Sequence, residues 1–347
     1  MTPTELRSSR NGISDTAEAI EFYYAKGWTD GLPVVPPTEE SIRAMLDAAG
    51  LEPNEEITFL EYRRVSVKAE KVAINAVMAG CVPEYMPVIV ATLKAIGDPR
   101  WGYEGPSTST GGSAVLMIIN GPIRQELGLN CGENLFGPGF RANATIGRAV
   151  RLVMRNVMGT LPGYLDRATL GHGGKFTYCI AENEEESPWV PLHVERGFRP
   201  EQSTVTVLAA LAPHQFANHL SHTAEGILTT GCAHIRISAG VARQLQYALI
   251  IAGEHMRVIV RDGWSKHDIK RFCFEKTRTS QGELKRIAVL PGEITQDDET
   301  ILRPLVPSPE DFIVVAAGGP VGGFSAFIPG WSGKGTSESL TREILRP

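Results

Sequence analysis

The chain has little that would staple, anchor or polarise it. Its five cysteines are an odd number with no Cys-x-x-Cys pair, which excludes a disulfide framework and fits reduced thiols. No apolar run approaches the roughly 18 residues that a bilayer span requires. Residues 1–16, MTPTELRSSRNGISDT, lack the apolar stretch of a signal peptide, so a cytoplasmic location is expected. There is no basic block or stripe. With 34 Lys and Arg against 39 Asp and Glu, a net charge of -5 argues against nucleic acid or an anionic membrane as the main partner. Neither GxxxxGK[ST] nor GxGxxG occurs, so no nucleotide or dinucleotide cofactor is expected. No repeat of 20–50 residues and no low-complexity segment is present.

What is present is an ordinary globular composition, 42% hydrophobic and 21% charged. At 347 residues the chain is long enough for one large α/β core or for two lobes. "AVLMIINGP" (114–122), "YALIIAGEH" (247–255) and "FIVVAAGGP" (312–320) share one design, an apolar run ending in glycine. Runs of this kind read as strands buried on both faces, and "STVTVLAAL" (203–211) reads as a fourth. Helices are predicted from Asp15 to Gly27, from Thr38 to Gly50, from Ser66 to Gly80 and over "EYMPVIVATLKAI" (84–96). Further helices are predicted over 143–158, 214–229, 254–262 and 266–278, the last capped by Ser265. The predicted fold is therefore α/β: a mainly parallel or mixed sheet flanked by helices, in one body or two lobes. Residues 1–100 read as a mainly helical region and 101–347 as the α/β core, with one continuous domain as the alternative. In such sheets ligands sit beyond the carboxyl ends of the strands.

The polar loops supply the candidate site. "GPSTST" places Ser107, Thr108, Ser109 and Thr110 just before a buried strand, where hydroxyls serve either a ligand or the turn itself. "FGPGFRANATIGR" bends at Gly137-Pro138-Gly139 and is read as a helix start capped by Asn143. Free amides there, with Arg141 and Arg148 close by, would hold a substrate carboxylate or phosphate. Cys81 lies between a helix end and a helix start; a thiolate favoured by the dipole would be a nucleophile or redox group, although buried cysteines usually only pack. His172, in "LGHGGKF", is the expected acid/base, with a simple loop tip as the alternative. Glu182, at the apolar end of "CIAENEEES", and Asp30, in the rigid "WTDGLPVVPP", complete the catalytic candidates. The loops at 30–32, 107–110, 137–145 and 171–174 are expected to converge on one pocket. His219, His222 and Glu225 would share a helix face as metal ligands, but His-x-x-His without further partners is a weak signature, and no metal is expected.

These readings favour an enzyme acting on a small anionic molecule by thiol-dependent or acid/base chemistry, of oxidoreductase or lyase type. A non-catalytic subunit of a redox complex is the alternative, and a histidine-based metalloenzyme a second one. Aromatics in the Gly-rich "SAFIPGWSGKG" suggest a homo-oligomer.

Four strings, "YYAKGWTDGLPVVPPTEE", "AINAVMAGCVPEYMPVI", "AENEEESPWVPLHVERGF" and "GEHMRVIVRDGWSKHDIKRF", together resemble a bacterial family associated with genes for small UGSC-motif selenoproteins. The resemblance covers most of the chain, which has no UGSC motif of its own. It implies a redox or thiol-dependent reaction on a small molecule, in an assembly with a small thiol- or selenol-containing protein. It carries no catalytic residues over to this sequence.

Overall fold

The computed structural model describes residues 5–237, 245–333 and 335–347. Helix α1 (Thr16–Ala25) begins where Asp15 accepts the amide of Glu18, and α2 (Glu39–Ala48) where Thr38 and Ser41 cap each other. A hairpin of β1 (Glu56–Leu60) and β2 (Val65–Lys68) leads into α3 (Ala69–Ala79) and α4 (Met86–Ile96). Ser66 therefore opens no helix. It lies in β2, where β-branched Val65 and Val67 pair with β1, and α3 starts only at Ala69. The chain continues through α5 (Glu104–Thr108), β3 (Ala114–Asn120), α6 (Ile123–Glu126), α7 (Arg141–Asn156), β4 (Cys179–Ala181), α8 (Leu192–Glu195), β5 (Thr204–Ala210) and β6 (His214–Ala217). Its second half runs α9 (Ala224–Ile235), β7 (Tyr247–Ile251), α10 (Gly253–Arg261), α11 (Lys266–Lys276), β8 (Thr279–Ser280), α12 (Gln281–Arg286) and β9 (Leu302–Arg303). It closes with β10 (Phe312–Ala316), β11 (Phe324–Pro329) and β12 (Leu340–Glu343).

All four apolar runs contain strands, and the fold is α/β. The strands are divided between two four-stranded sheets, ordered β12-β5-β3-β4 and β10-β7-β11-β6. Each sheet is mixed: β3 with β4 and β7 with β10 are parallel, and the other pairs are antiparallel. The link 317–323 between β10 and β11 is too short for the helical crossover that a parallel return needs, so β11 comes back antiparallel. Residues 214–229 likewise differ from the predicted helix. Phe216 pairs with Ser325 in an edge strand, and α9 begins only after the Thr223 cap.

The two sheets share one connectivity. Ile119 pairs with Ala181 on one side and Val205 on the other; Ile251 pairs with Ala316 and Ser325 in the same way. After β5 the chain crosses to the other sheet as β6, and after β11 it returns as β12. Ala210 and Gly330 bridge at the crossing, where the Leu211 amide meets the Pro329 carbonyl at 2.8 Å. Each sheet is completed by a strand from the opposite half.

Alternation along the strands sorts the core into three layers. Leu116, Ile118 and Leu208 meet Ala248, Ile250, Ile313 and Ile328 between the sheets. Val115, Met117 and Ile119 face α3, α4 and α7, in a cluster that reaches back to Ala19 of α1, so the helical region and its sheet share one core. Leu249, Ile251, Phe312 and Val314 pack in one cluster with α9, α10 and α11. Among the described residues no helix is long and apolar enough to cross a membrane. Leu116 is fully buried between the sheets. Leu116→Ala should cost about 2–5 kcal/mol in urea denaturation; a loss no greater than that of a surface substitution would contradict this packing.

Candidate functional site

The four expected loops do not form one pocket. Loops 107–110 and 171–174 meet ahead of β3, where the Thr169 amide donates to the Thr110 carbonyl at 2.9 Å. There three of the four hydroxyls have protein partners. Ser107 accepts from Arg63 at 2.7 Å, Thr108 donates to the Glu104 carbonyl at 2.7 Å, and Ser109 accepts from the Gly111 amide at 3.0 Å. His172 Nδ1 accepts the Gly174 amide at 3.2 Å, which leaves Nε2 to donate to the Ala210 carbonyl at 3.3 Å. Burial holds its pKa below the ordinary imidazole value.

Asp30, Cys81, Arg141 and Arg148 gather instead along α7, each with a protein partner. Arg141 donates Nε and Nη2 to the Gly80 carbonyl at 3.1 and 2.9 Å. Arg148 grips both oxygens of Asp30 at 2.8 Å; burial works to raise that carboxyl, but the guanidinium prevails and holds it below its usual range. Asn143 is not a cap. It lies inside the helix, where its amide group reaches the carbonyls of Asn130 and Cys179, both at 3.1 Å. The Cys81 thiol donates to the Thr145 carbonyl at 3.3 Å, and burial pushes its pKa up to about 12. That is the direction opposite to the one expected. Desolvation outweighs the hydrogen bond to Thr145 and the nearby charges of Arg141 and Arg148. Cys179 is likewise pushed up to about 12 by burial.

Glu182 is wholly buried at the carboxyl end of β4. Its oxygens accept from Asn120 Nδ2 at 2.6 Å, the Leu192 amide at 2.7 Å and Lys266 Nζ at 3.0 Å. Glu184 and Glu185 hold Arg124 beside it at 3.0 and 2.8 Å. These side chains fill the corner beyond β3 and β4. The histidine pattern does not assemble: His219 and His222 precede α9, which carries Glu225. Among the described residues no group of three or more His, Cys, Asp or Glu side chains is placed to hold a metal ion.

The matching corner of the second sheet is open. A cavity of about 360 Å³ lies beyond β7 and β10, lined by Gln215, Ala252, Gly318, Gly319, Phe324 and Ser325 with the loop 134–137 across from them. Among the described residues that line it none is charged, although the Glu254 carboxylate lies just behind, on the Gly322 amide. Ser325, at the register position that Val205 holds in the first sheet, lies 2.8 Å from His255 Nδ1. His255 Nε2 lies 3.1 Å from the Asn218 carbonyl, an acceptor only, so Nε2 carries the proton and Nδ1 accepts the serine hydroxyl. Phe216 stacks on the imidazole at 5.8 Å, and burial lowers the pKa of His255. The Ala252 amide donates to the serine oxygen at 3.3 Å.

The loop "GGPVGG" is shaped for this cleft. Its Gly318 amide is bound to the Cys131 carbonyl and its Gly322 amide to Glu254, while the amides of Gly319 and Val321 meet no acceptor among the described residues. A Cβ on Gly253 would lie 2.8 Å from Pro320 Cα, so glycine lets the start of α10 approach the loop. Sequence reasoning missed the Ser325–His255 pair. Its only local signals were the glycines after the 312–320 run and the histidine inside the 247–255 run.

Two outcomes check this geometry. Native Cys81 should resist iodoacetamide at neutral pH and react once unfolded; rapid native labelling would contradict its burial. Glu182→Leu, which leaves the buried Lys266 with Glu195 alone and the Asn120 and Leu192 donors without their acceptor, should cost about 3–5 kcal/mol in denaturant unfolding, and adding Lys266→Met should recover part of that loss. A scan of protein-family models matches none to this chain and a search of curated proteins returns no match, so the chemistry of the cleft rests on its residues.

Proposed function

We propose that the protein is an acid/base-dependent enzyme acting on a small uncharged acyl compound, with Ser325 as nucleophile and His255 as its base. The observation that carries this reading is the 2.8 Å contact between Ser325 Oγ and an imidazole nitrogen left free to accept its proton; Ser325 is among the residues that border the cavity, and His255 is buried behind it. Ser325 Oγ attacks the carbonyl carbon while its proton passes to His255 Nδ1. The resulting oxyanion is stabilised by amide donors such as those of Gly319 and Val321. Collapse expels the alcohol or thiol leaving group, which takes the proton from His255. Water, activated by the same nitrogen, then releases the acid and restores the serine. A thiol-dependent reaction on an anionic substrate fits this cleft less well: the described residues that line it are uncharged, and burial raises the thiols of Cys81, Cys131 and Cys179.

Incubation with p-nitrophenyl acetate should give a burst of p-nitrophenolate and an acetyl group on the peptide containing Ser325. Ser325→Ala should abolish both, and His255→Gln should slow acylation by about 100- to 10,000-fold. An intact fold with no adduct, or an adduct elsewhere, would overturn the assignment. The rate should also follow the neutral form of His255. Because burial depresses its pKa, activity should persist at pH 6.5, the usual imidazole value, and fall only on further acidification. A limb centred above 6.5 would point to another base.

A second reading is favoured by the rim of the cleft, where Phe136, Val321 and Phe324 are exposed. A further copy of the chain, or the small thiol- or selenol-containing protein implied by the sequence resemblance, would cover these groups. In the segment first suspected of this role Phe327 is fully buried in β11 and Trp331 is partly buried, while Lys334 lies outside the described residues. Light scattering at micromolar concentration should detect an oligomer that Val321→Asp disrupts; a monomer throughout would leave the rim free for substrate.

A further inference from the structure

A second cavity, of about 420 Å³, opens on the opposite side of β10 from the carboxyl-end cleft, between α8, the amino ends of β7 and β10, and the start of β12. Leu192, Phe312 and Ile313 border it but are almost wholly buried, and Arg196 and Lys270 stand in its wall. Arg196 Nη1 donates to the Ser339 carbonyl at 3.1 Å and Nη2 to the Ser339 hydroxyl at 2.8 Å. No carboxylate of the described residues comes within ion-pair distance of this guanidinium. Glu195, its neighbour in sequence, turns instead to Lys266 at 3.4 Å and to Lys270. Although Arg196 keeps some exposed surface, the protein around its guanidinium pulls the pKa below the ordinary value.

A desolvated cation without a counter-ion is unfavourable, and a cavity beside it is where an anion can be supplied. The guanidinium has five donors in a planar fork, of which Ser339 uses two; the remainder suit a carboxylate. The other charges in the wall restrict which carboxylate fits. Asp311 is occupied by Ser308 and Gln246, and Glu338 accepts the Gly335 amide. Among the described residues Glu310 has Lys270 alone, at 3.9 Å. This excess of acid repels a dianion and attracts a ligand that carries its own positive group.

We propose that the cavity binds a small amino acid, with its carboxylate on Arg196 and its ammonium towards Glu310. The site does not depend on the Ser325 chemistry. Saturation-transfer NMR with L-leucine, leucinamide and inorganic phosphate as probes tests it. Leucine should bind, leucinamide should bind at least about tenfold more weakly for want of the charge-assisted pair, and phosphate should not compete. Arg196→Gln should abolish leucine binding; if that variant fails to fold, Arg196→Lys should weaken binding while keeping the charge. Equal binding of leucine and leucinamide, tighter binding of phosphate, or no binding of leucine would each overturn the proposal.

Discussion

A carboxylate with no access to water organises this molecule. Glu182 would be a large liability if it were alone, because an unpaired charge in a protein interior costs several kcal/mol. It is instead surrounded by donors from three directions: Asn120 at the end of β3, the Leu192 amide at the start of α8, and Lys266 at the start of α11. The last of these belongs to the other half of the chain, so satisfying one charge fixes how the two halves meet.

That ionic corner also explains where an open site can exist. The sheets are laid out alike, and the residue that follows the parallel edge strand is Glu182 in one and Ala317 in the other, each donating its amide to the strand beside it. Where Glu182 and its partners stand, the corner is filled. Where Ala317 and the glycines stand, it is hollow, and a serine replaces the valine of the other sheet. A shared layout leaves a cavity at only one of its two copies because the side chains differ, not the backbone.

The sequence made the layers readable but not their partition. Three glycine-ended apolar runs and a fourth over 203–211 identified strands buried on both faces, and Asp15, Thr38 and Ser265 marked helix starts that the caps bear out. Strand direction was not legible, because it depends on which neighbour a short link such as 317–323 allows. The polar residues were harder still. The arginines of α7 looked available to a ligand, yet Arg148 and Arg141 are taken by Asp30 and Gly80, groups more than sixty positions away. Ser325 and His255 lie 70 residues apart, and nothing local to either announces the other. Motif spacing finds sites built within one segment, and this cleft is built by pairing distant strands.

The exchange of strands at Ala210 and Gly330 has a consequence for how the chain is made. As synthesis proceeds, β5 emerges long before β12, and β6 long before its partner β11. Until residues 340–343 leave the ribosome, β5 presents a bare edge of unpaired amides and carbonyls, the kind of surface that invites pairing between nascent chains. Neither half can close its sheet and wait for the other. The final structure is committed late and at once, and until then the growing chain depends on whatever shields its open edges.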